Sequence, residues 1–205
     1  NMVANEVFID SATLRENVIA LARNIGYTPR SRKAATTAIS FFVDTTNIQP
    51  RPATLTLRRG TVAASQSAFG TSGGSFCILD DITVPVVNGI ATFDEVTVYE
   101  GTLVEKNFTY SARNPNQKFV LPNAGVDTDL IRVLVKNNES STASVKYAMQ
   151  DNLFYVGSQS RIYYLQEVAD ERYEIFFGDG VFGKKLEDYN YVTVRYMTCN
   201  GDAGN

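Results

Sequence analysis

Histidine is absent from the 205 residues, and this absence limits the chemistry that the chain can perform. Without an imidazole, neither a Ser-His-Asp nor a Cys-His arrangement can activate a nucleophile. A metal site built on two histidines is excluded for the same reason. The two cysteines, Cys77 and Cys199, stand far apart and lack the spacing of metal ligands, so we expect buried free thiols in a reducing compartment. The sequence therefore predicts no metal and no cofactor.

Carboxylates are the remaining candidates for acid–base catalysis. Adjacent pairs occur, for example at residues 80–81, 94–95 and 170–171, and a glycosidase can use two carboxylates from separate strands. However, the chain has no tryptophan to form a sugar platform, and the pairs lie beside turn residues, where Asp favours local backbone hydrogen bonds. Asp127 and Asp129 with Asn123 lack the spacing of an EF-hand calcium loop. We therefore expect no catalytic carboxylate and no small-molecule substrate.

A glycine-rich segment formally matches the dinucleotide-binding pattern G-x-G-x-x-G, and it reads Gly178-Asp179-Gly180-Val181-Phe182-Gly183. That site needs a helix after the glycines, whose N-terminus faces the pyrophosphate. Here only seven residues separate Gly183 from the next β-like run at Tyr191, and no crossover helix fits between them. We interpret the glycines instead as turn residues of a long hairpin over residues 173–196.

One helix is predicted, over residues 11–25. Leu14, Val18, Leu21 and Ile25 recur at helical spacing. Thr13 and Glu16 have the spacing of a capping box, and Gly26 suits a C-terminal cap. The apolar stripe of this short amphipathic helix is our candidate interaction surface, either with its own domain or with a partner. The basic turn at 30–33 that follows is expected to be a solvated loop or a protein contact, because no aromatic or Gly-rich context supports nucleic-acid binding.

From residue 34 onward the hydrophobic period is two, which is typical of strands. About a dozen short β-prone runs follow one another, and Asn88-Gly89 between two of them predicts a two-residue hairpin. The predicted fold is mainly β with a short N-terminal helical element (α+β). It has antiparallel, sandwich-like sheets in one or two subdomains. We place the subdomains at residues 1–112 and 113–205, and we expect the chain to be a fragment of a longer protein.

Charge is distributed unevenly along the chain. Residues 1–70 carry a net charge of +4 and residues 71–205 carry −7, so the two parts could attract complementary partners or each other in neighbouring copies. No apolar run is long enough to span a membrane, and no signal peptide is recognisable at the N-terminus. The sequence therefore favours a protein partner over a membrane.

Several motifs, taken in order, resemble the baseplate J-like family of contractile phage tails, and in particular its inner-ring wedge component in T-even-like bacteriophages. Residues 174–186 resemble the FGDG-x-x-G signature of that family, and residues 200–205 resemble its NG…GN turn. Residues 17–29 resemble the family's helix ending in GY-x-P. The signature residues are Gly178, Asp179, Gly180, Gly183, Asn200 and Gly201.

The resemblance implies an architectural role without catalytic residues. Family members are virion proteins of the tail baseplate, assembled in the host cytoplasm. They pair as dimers and join other baseplate wedge proteins, and six wedges close into a ring around the tail hub. Two alternatives remain open at this point. One is a carbohydrate-binding or carbohydrate-cleaving tail β-domain, and the other is a host-surface adhesin that uses tyrosines such as Tyr155, Tyr163 and Tyr164.

Overall fold

Alternating half-buried runs form thirteen strands in the computed structural model, which describes residues 11–14, 17, 18, 21, 31–64, 74–114, 116–152 and 154–201. The predicted helix lies mostly outside these residues. Within them, the amides of Asn17 and Val18 donate to the carbonyl of Leu14 (3.0 and 3.1 Å), and the rest of the helix stays a prediction. In the described part of the chain, no helix is long and apolar enough to cross a membrane.

The first sheet contains the first six strands. They are β1 (Thr36–Asp44), β2 (Thr54–Leu57), β3 (Gly60–Ala64), β4 (Ser75–Ile78), β5 (Ile82–Val87) and β6 (Ile90–Glu100). The long strand β6 pairs with β1 along one side, and with β5 and then β4 along the other. Asn88 and Gly89 both have positive φ (53° and 83°) and join β5 to β6, which confirms the predicted hairpin.

The second sheet contains the other seven strands. They are β7 (Thr102–Thr109), β8 (Phe119–Val120), β9 (Val126–Lys136), β10 (Val145–Met149), β11 (Ile162–Val168), β12 (Arg172–Phe177) and β13 (Tyr191–Thr198), in the spatial order β7-β13-β9-β10-β11-β12-β8. A 3-10 turn (Ala169–Glu171) joins β11 to β12. All pairs are antiparallel except β10 with β11, which is parallel. The mainly β prediction with antiparallel sheets is thus confirmed.

The hairpin predicted around the FGDG motif is wrong. Strands β12 and β13 belong to the same sheet, but three strands (β9, β10 and β11) lie between them. Strand β12 pairs with β11 and β8, while β13 pairs with β7 and β9. The prediction failed because a glycine-rich segment between two β runs is compatible with a crossover as well as with a turn. Residues 178–190 therefore form a crossover at one end of the sheet.

Each sheet has its own core, and a third cluster lies between them. The first core is centred on Phe93, Val96 and Val98. The second is built on the strands of the bent seven-stranded sheet, whose two edge strands meet through the rings of Phe108 and Phe119 (5.4 Å between centroids). The bridging cluster consists of Cys77, Leu79, Leu130 and Met197. Both cysteines are buried and free.

The two sheets meet at Gly101, which separates β6 from β7. This break lies eleven residues before the predicted boundary between residues 112 and 113, and the residues 102–112 that were assigned to the first subdomain contain β7 of the second sheet. A division of the chain into two independently folding units stays a prediction.

Candidate functional site

A short basic segment, residues 31–34, crosses from the start of β1 to strand β9 of the second sheet, and we call it the basic strap. The hydroxyls of Ser31 and Thr128 are 2.8 Å apart, and the amide of Thr128 donates to Ser31 Oγ at 3.0 Å. The amide of Ala34 donates to Asp127 Oδ2 at 2.9 Å. Asp127 is only 3% exposed, so this hydrogen bond satisfies an acceptor that would otherwise be buried without a partner.

Two ion pairs fix the middle of the strap. Arg32 Nη2 lies 3.0 Å from Glu171 Oε2, and Lys33 Nζ contacts Asp129 Oδ2. All four side chains are at least a third exposed, so each pair contributes at most about 1 kcal/mol and is screened by salt. The opposite charges of the two parts of the chain therefore meet inside one molecule, whereas the charge pattern predicted contacts with partners or between neighbouring copies.

A second polar link joins the end of β6 to Asn200, the second residue after β13. Glu100 is 3% exposed, and its two carboxylate oxygens accept from the amide and the side-chain Nδ2 of Asn200 (3.2 and 2.8 Å). Gly201 follows with a φ of 61° and packs near the Arg32 side chain. Two signature residues, Asn200 and Gly201, are thus parts of the junction between the sheets.

Gly101 and Gly125 give the junction its close backbone contacts. Gly101 has a φ of 127°, and a Cβ built on it would lie 2.2 Å from the carbonyl oxygen of Thr198. Only glycine accommodates both conditions. Gly125 also has a positive φ (70°), and its carbonyl accepts from the amide of Cys199 at 2.9 Å. The backbones therefore approach here more closely than any side chain would permit.

A cleft of about 360 Å³ lies at this junction, lined among others by Arg32, Glu100, Thr102 and Asn200. Its buried carboxylate, Glu100, is already hydrogen-bonded to Asn200. Burial raises the pKa of the Cys199 thiol, which makes it a poorer nucleophile. Among the described residues, no group of three or more Cys, Asp or Glu side chains is placed to hold a metal. The arrangement is suited to holding two sheets together.

The FGDG turn (residues 178–183) is held by its own aspartate. Asp179 Oδ1 accepts from the amides of Val181 and Phe182, both at 2.8 Å. These bonds lower the pKa of the Asp179 carboxyl, with the Phe182 amide as the largest cause. Because a carboxylate of the protein occupies these amides, they are not available to a phosphate. The turn geometry thus agrees with the expectation that the glycine pattern is not a nucleotide site.

The glycines of this turn permit a tight fold against a neighbouring loop. A Cβ on Gly178 would lie 2.1 Å from the carbonyl carbon of Gly183, and Gly183 has a φ of 97°. The amide of Gly180 donates to the carbonyl of Gly183 (3.0 Å), and that of Gly183 donates to the carbonyl of Gly157 (3.2 Å). The crossover and the loop before β11 therefore form one hydrogen-bonded unit.

Exposed aromatic side chains project from this unit. Phe154, Tyr155 and Phe182 are 76%, 106% and 45% exposed, and Tyr155 has a positive φ of 59°. Sequence reasoning grouped Tyr155 with Tyr163 and Tyr164, but Tyr163 is buried and its pKa is raised to about 12 by that burial. Because side chains alternate between the two faces of a strand, the sequence alone predicts that Tyr163 and Tyr164 lie on opposite faces. Nothing in the sequence shows that Tyr155 is exposed.

The predicted helix stripe is only partly within the described residues. Leu14 is half exposed, Val18 and Leu21 are half-buried, and Ile25 lies outside them. Its interaction role stays a prediction. Sequence reasoning missed the basic strap and the Glu100–Asn200 link, because each joins residues about a hundred positions apart.

Comparison with known protein families finds a similarity that is confined to the second sheet. Residues 102–199 match the family model described as "Bacteriophage baseplate wedge protein gp6, third domain". The match begins at the first residue of β7 and ends one residue after β13, so it covers the whole seven-stranded sheet. The FGDG turn, Gly125, and the residues Thr198 and Cys199 that contact Gly101 lie within it.

A second comparison extends the relationship to the entire chain. The chain is 24% identical, over 221 aligned positions, to the baseplate wedge protein gp6 of Enterobacteria phage T4. The alignment covers 100% of this chain and 32% of that relative, so the chain spans about a third of the relative's length. Residues 102–199 are thus similar to the third domain of bacteriophage baseplate wedge proteins, and the chain as a whole is similar to about a third of the baseplate wedge protein gp6 of phage T4.

Proposed function

We propose that this chain is a non-enzymatic, structural part of a contractile phage tail baseplate and acts by binding other proteins. The observation that supports this most strongly is the coincidence of the matched family domain with one complete sheet. The match includes the FGDG turn and the junction residue Gly125 as well as all seven strands. The role of the wedge relative is then the best guide to the role of this chain.

The proposed mode of assembly has two levels. Copies of the protein pair, and the pairs join other wedge proteins. The wedges then close around the tail hub, within a virion that is assembled in the host cytoplasm. The junction supports this role because its close backbone contacts and its buried Glu100–Asn200 link hold the two sheets together. When the two sheets are held in one orientation, a partner bound to one sheet has a fixed position relative to a partner bound to the other.

The exposed aromatics beside the FGDG turn are proposed contacts with a neighbouring wedge protein. Aromatic side chains dominate protein interfaces because they bury a large area at a small loss of conformational entropy. Phe154 and Phe182 are presented by loops that are tied together through Gly157 and Gly183. A partner would therefore meet a preformed surface, which lowers the entropic cost of binding.

Sedimentation of the full-length protein tests the proposal, first alone and then mixed with the proteins that flank it in the phage tail. We expect at most weak self-association alone, and complexes of higher mass in the mixture. A protein that stays monomeric in every mixture contradicts the proposal.

A tail domain that binds carbohydrate is the second candidate, because the fully exposed Tyr155 ring could stack on a sugar. A glycan array with the wild-type chain and the Tyr155→Ala variant distinguishes the carbohydrate-binding function from the wedge function. Specific binding that the variant loses supports the carbohydrate function, whereas the wedge function predicts no specific glycan.

A further inference from the structure

Within the part of the chain that the structure describes, strand β1 has one unpaired edge. Its residues pair with β6 on one side, and among the described residues no other strand pairs with β1. This edge is nine residues long, close to the upper end of ordinary strand lengths. An open edge of that length presents backbone donors and acceptors ready for another strand.

The side chains of β1 favour such an addition. Residues 36–43 carry no charge, and natural proteins commonly protect an open edge with charged side chains, proline or a bulge on the edge strand. The bulge between β1 and β6 places its extra residue on β6, where Glu95 has a φ of 48°, so β1 itself stays regular. On its outward face, Phe42 is 68% exposed.

We propose that the free edge of β1 pairs antiparallel with β1 of a second copy of this chain. This inference deepens the proposed assembly function and rests on it, since it assigns the self-contact to one strand. With the two-fold axis at Ser40, Phe42 of each copy lies opposite Ala38 of the other. A large side chain therefore meets a small one on the outward face. Ile39 lies opposite Phe41 on the inward face, where both already pack against the first core.

Charge selects the antiparallel arrangement. Asp44 is the one charged residue of β1. In a parallel, in-register pair the two Asp44 carboxylates would lie side by side, which is unfavourable. In the antiparallel pair, Asp44 lies opposite the uncharged Thr36, and the two Asp44 carboxylates lie at opposite ends of the symmetric interface.

Sedimentation equilibrium over a wide range of protein concentration tests the inference with four variants. Phe42→Lys and Ala38→Glu each place a charge against an apolar neighbour of the other copy, and we expect each to raise the dimer Kd about tenfold or more, or about 1.4 kcal/mol. The double variant A38E/F42K sets Glu and Lys opposite each other across the interface, and we expect it to regain most of the wild-type affinity. Val87→Lys is the matched control, because Val87 is 62% exposed in the same sheet but lies on β5.

Both altered side chains are exposed, so thermal melting of the variants should match the wild type and exclude misfolding. The inference is overturned if the chain is monomeric throughout, if the single variants dimerise like the wild type, or if the double variant is no better than the single ones. The proposed assembly function survives each of these outcomes when the same variants still form complexes with the flanking baseplate proteins. It fails separately when those complexes do not form.

Discussion

The two sheets of this protein differ in how many apolar side chains each buries in its own core. Among the described residues, the first core contains five buried side chains and ten half-buried ones, whereas the second contains fourteen buried and six half-buried ones. Apolar burial is the main stabilising contribution to folding. The second sheet therefore has a core of its own, and the first depends more on the strap, the bridging cluster and, in our proposal, on a second copy.

The largest expected effect comes from cavities in the two cores. Ile175→Ala, at a position 1% exposed, should lower the free energy of unfolding by about 2–5 kcal/mol and destabilise both sheets together. Phe93→Ala in the first core should increase amide exchange in β1–β6 and leave β7–β13 protected. Exchange measured by mass spectrometry distinguishes the two patterns. Simultaneous exchange of both sheets in Phe93→Ala would contradict the comparison, and Ile48→Ala at a half-exposed site is the control.

The junction glycine provides the next test. Gly101→Ala and Gly60→Ala impose similar backbone strain, because their φ values are 127° and 117°, and such strain costs about 1–3 kcal/mol. Only at Gly101 does the new Cβ meet a neighbour, the Thr198 carbonyl oxygen at 2.2 Å, while nothing lies within 4 Å at Gly60. We therefore expect the larger loss of unfolding free energy for Gly101→Ala in urea titrations. Equal losses would contradict a close backbone contact between Gly101 and Thr198.

Alkaline pH should act on the second sheet first. Burial raises the pKa of Tyr163 and of Tyr196 to about 12, from a usual value of 10.0. Because the folded values are higher than the unfolded ones, the stability from the neutral phenols is present below about pH 10. It is lost as the pH rises towards 12. Tyr163→Phe should flatten this decline in urea titrations between pH 9 and about 11.5. If the free energy of unfolding declines equally in the variant and the wild type, Tyr163 is not a cause of the alkaline destabilisation.

The smallest effect is expected at the basic strap. Arg32→Ala should cost less than about 1 kcal/mol, and the cost should shrink as added salt shortens the Debye length from about 10 Å to about 3 Å. Arg59→Ala is the matched control, since its pair with Asp81 (3.5 Å) lies within the first sheet. Increased exchange at the junction in Arg32→Ala but not in Arg59→Ala is the expected result. The same exchange pattern in both variants would show that the strap does not link the sheets.

Local features were predictable from the sequence. The Asn88–Gly89 hairpin follows from two residues that tolerate positive φ between two apolar runs, and β1 follows from its alternation. Strand β7 (Thr102–Thr109) is harder to recognise in the sequence. Its central residues, Glu105, Lys106 and Asn107, are polar and exposed, so they hide the period-two signal that a half-buried strand usually shows.

Contacts between distant parts of the chain were not predictable. Which strand pairs with β13 depends on how well the side chains of entire strands pack against each other. Strand β13 therefore pairs with β9, and not with β12, which precedes it in the sequence. The same holds for Asn200, whose partner Glu100 is a hundred positions away. The family resemblance identified Asn200 and Gly201 as signature residues, but only the three-dimensional arrangement shows what they contact.

The pairing of Thr102 with Thr198 has a further consequence for a longer polypeptide. The chain enters and leaves the seven-stranded sheet at neighbouring points, beside Gly101 and Asn200. A module whose ends lie together can be inserted into or removed from a larger protein without displacing the segments on either side. The family model begins and ends at these same neighbouring points, residues 102 and 199, and this is the arrangement expected of a segment that is inserted into a larger protein as a unit.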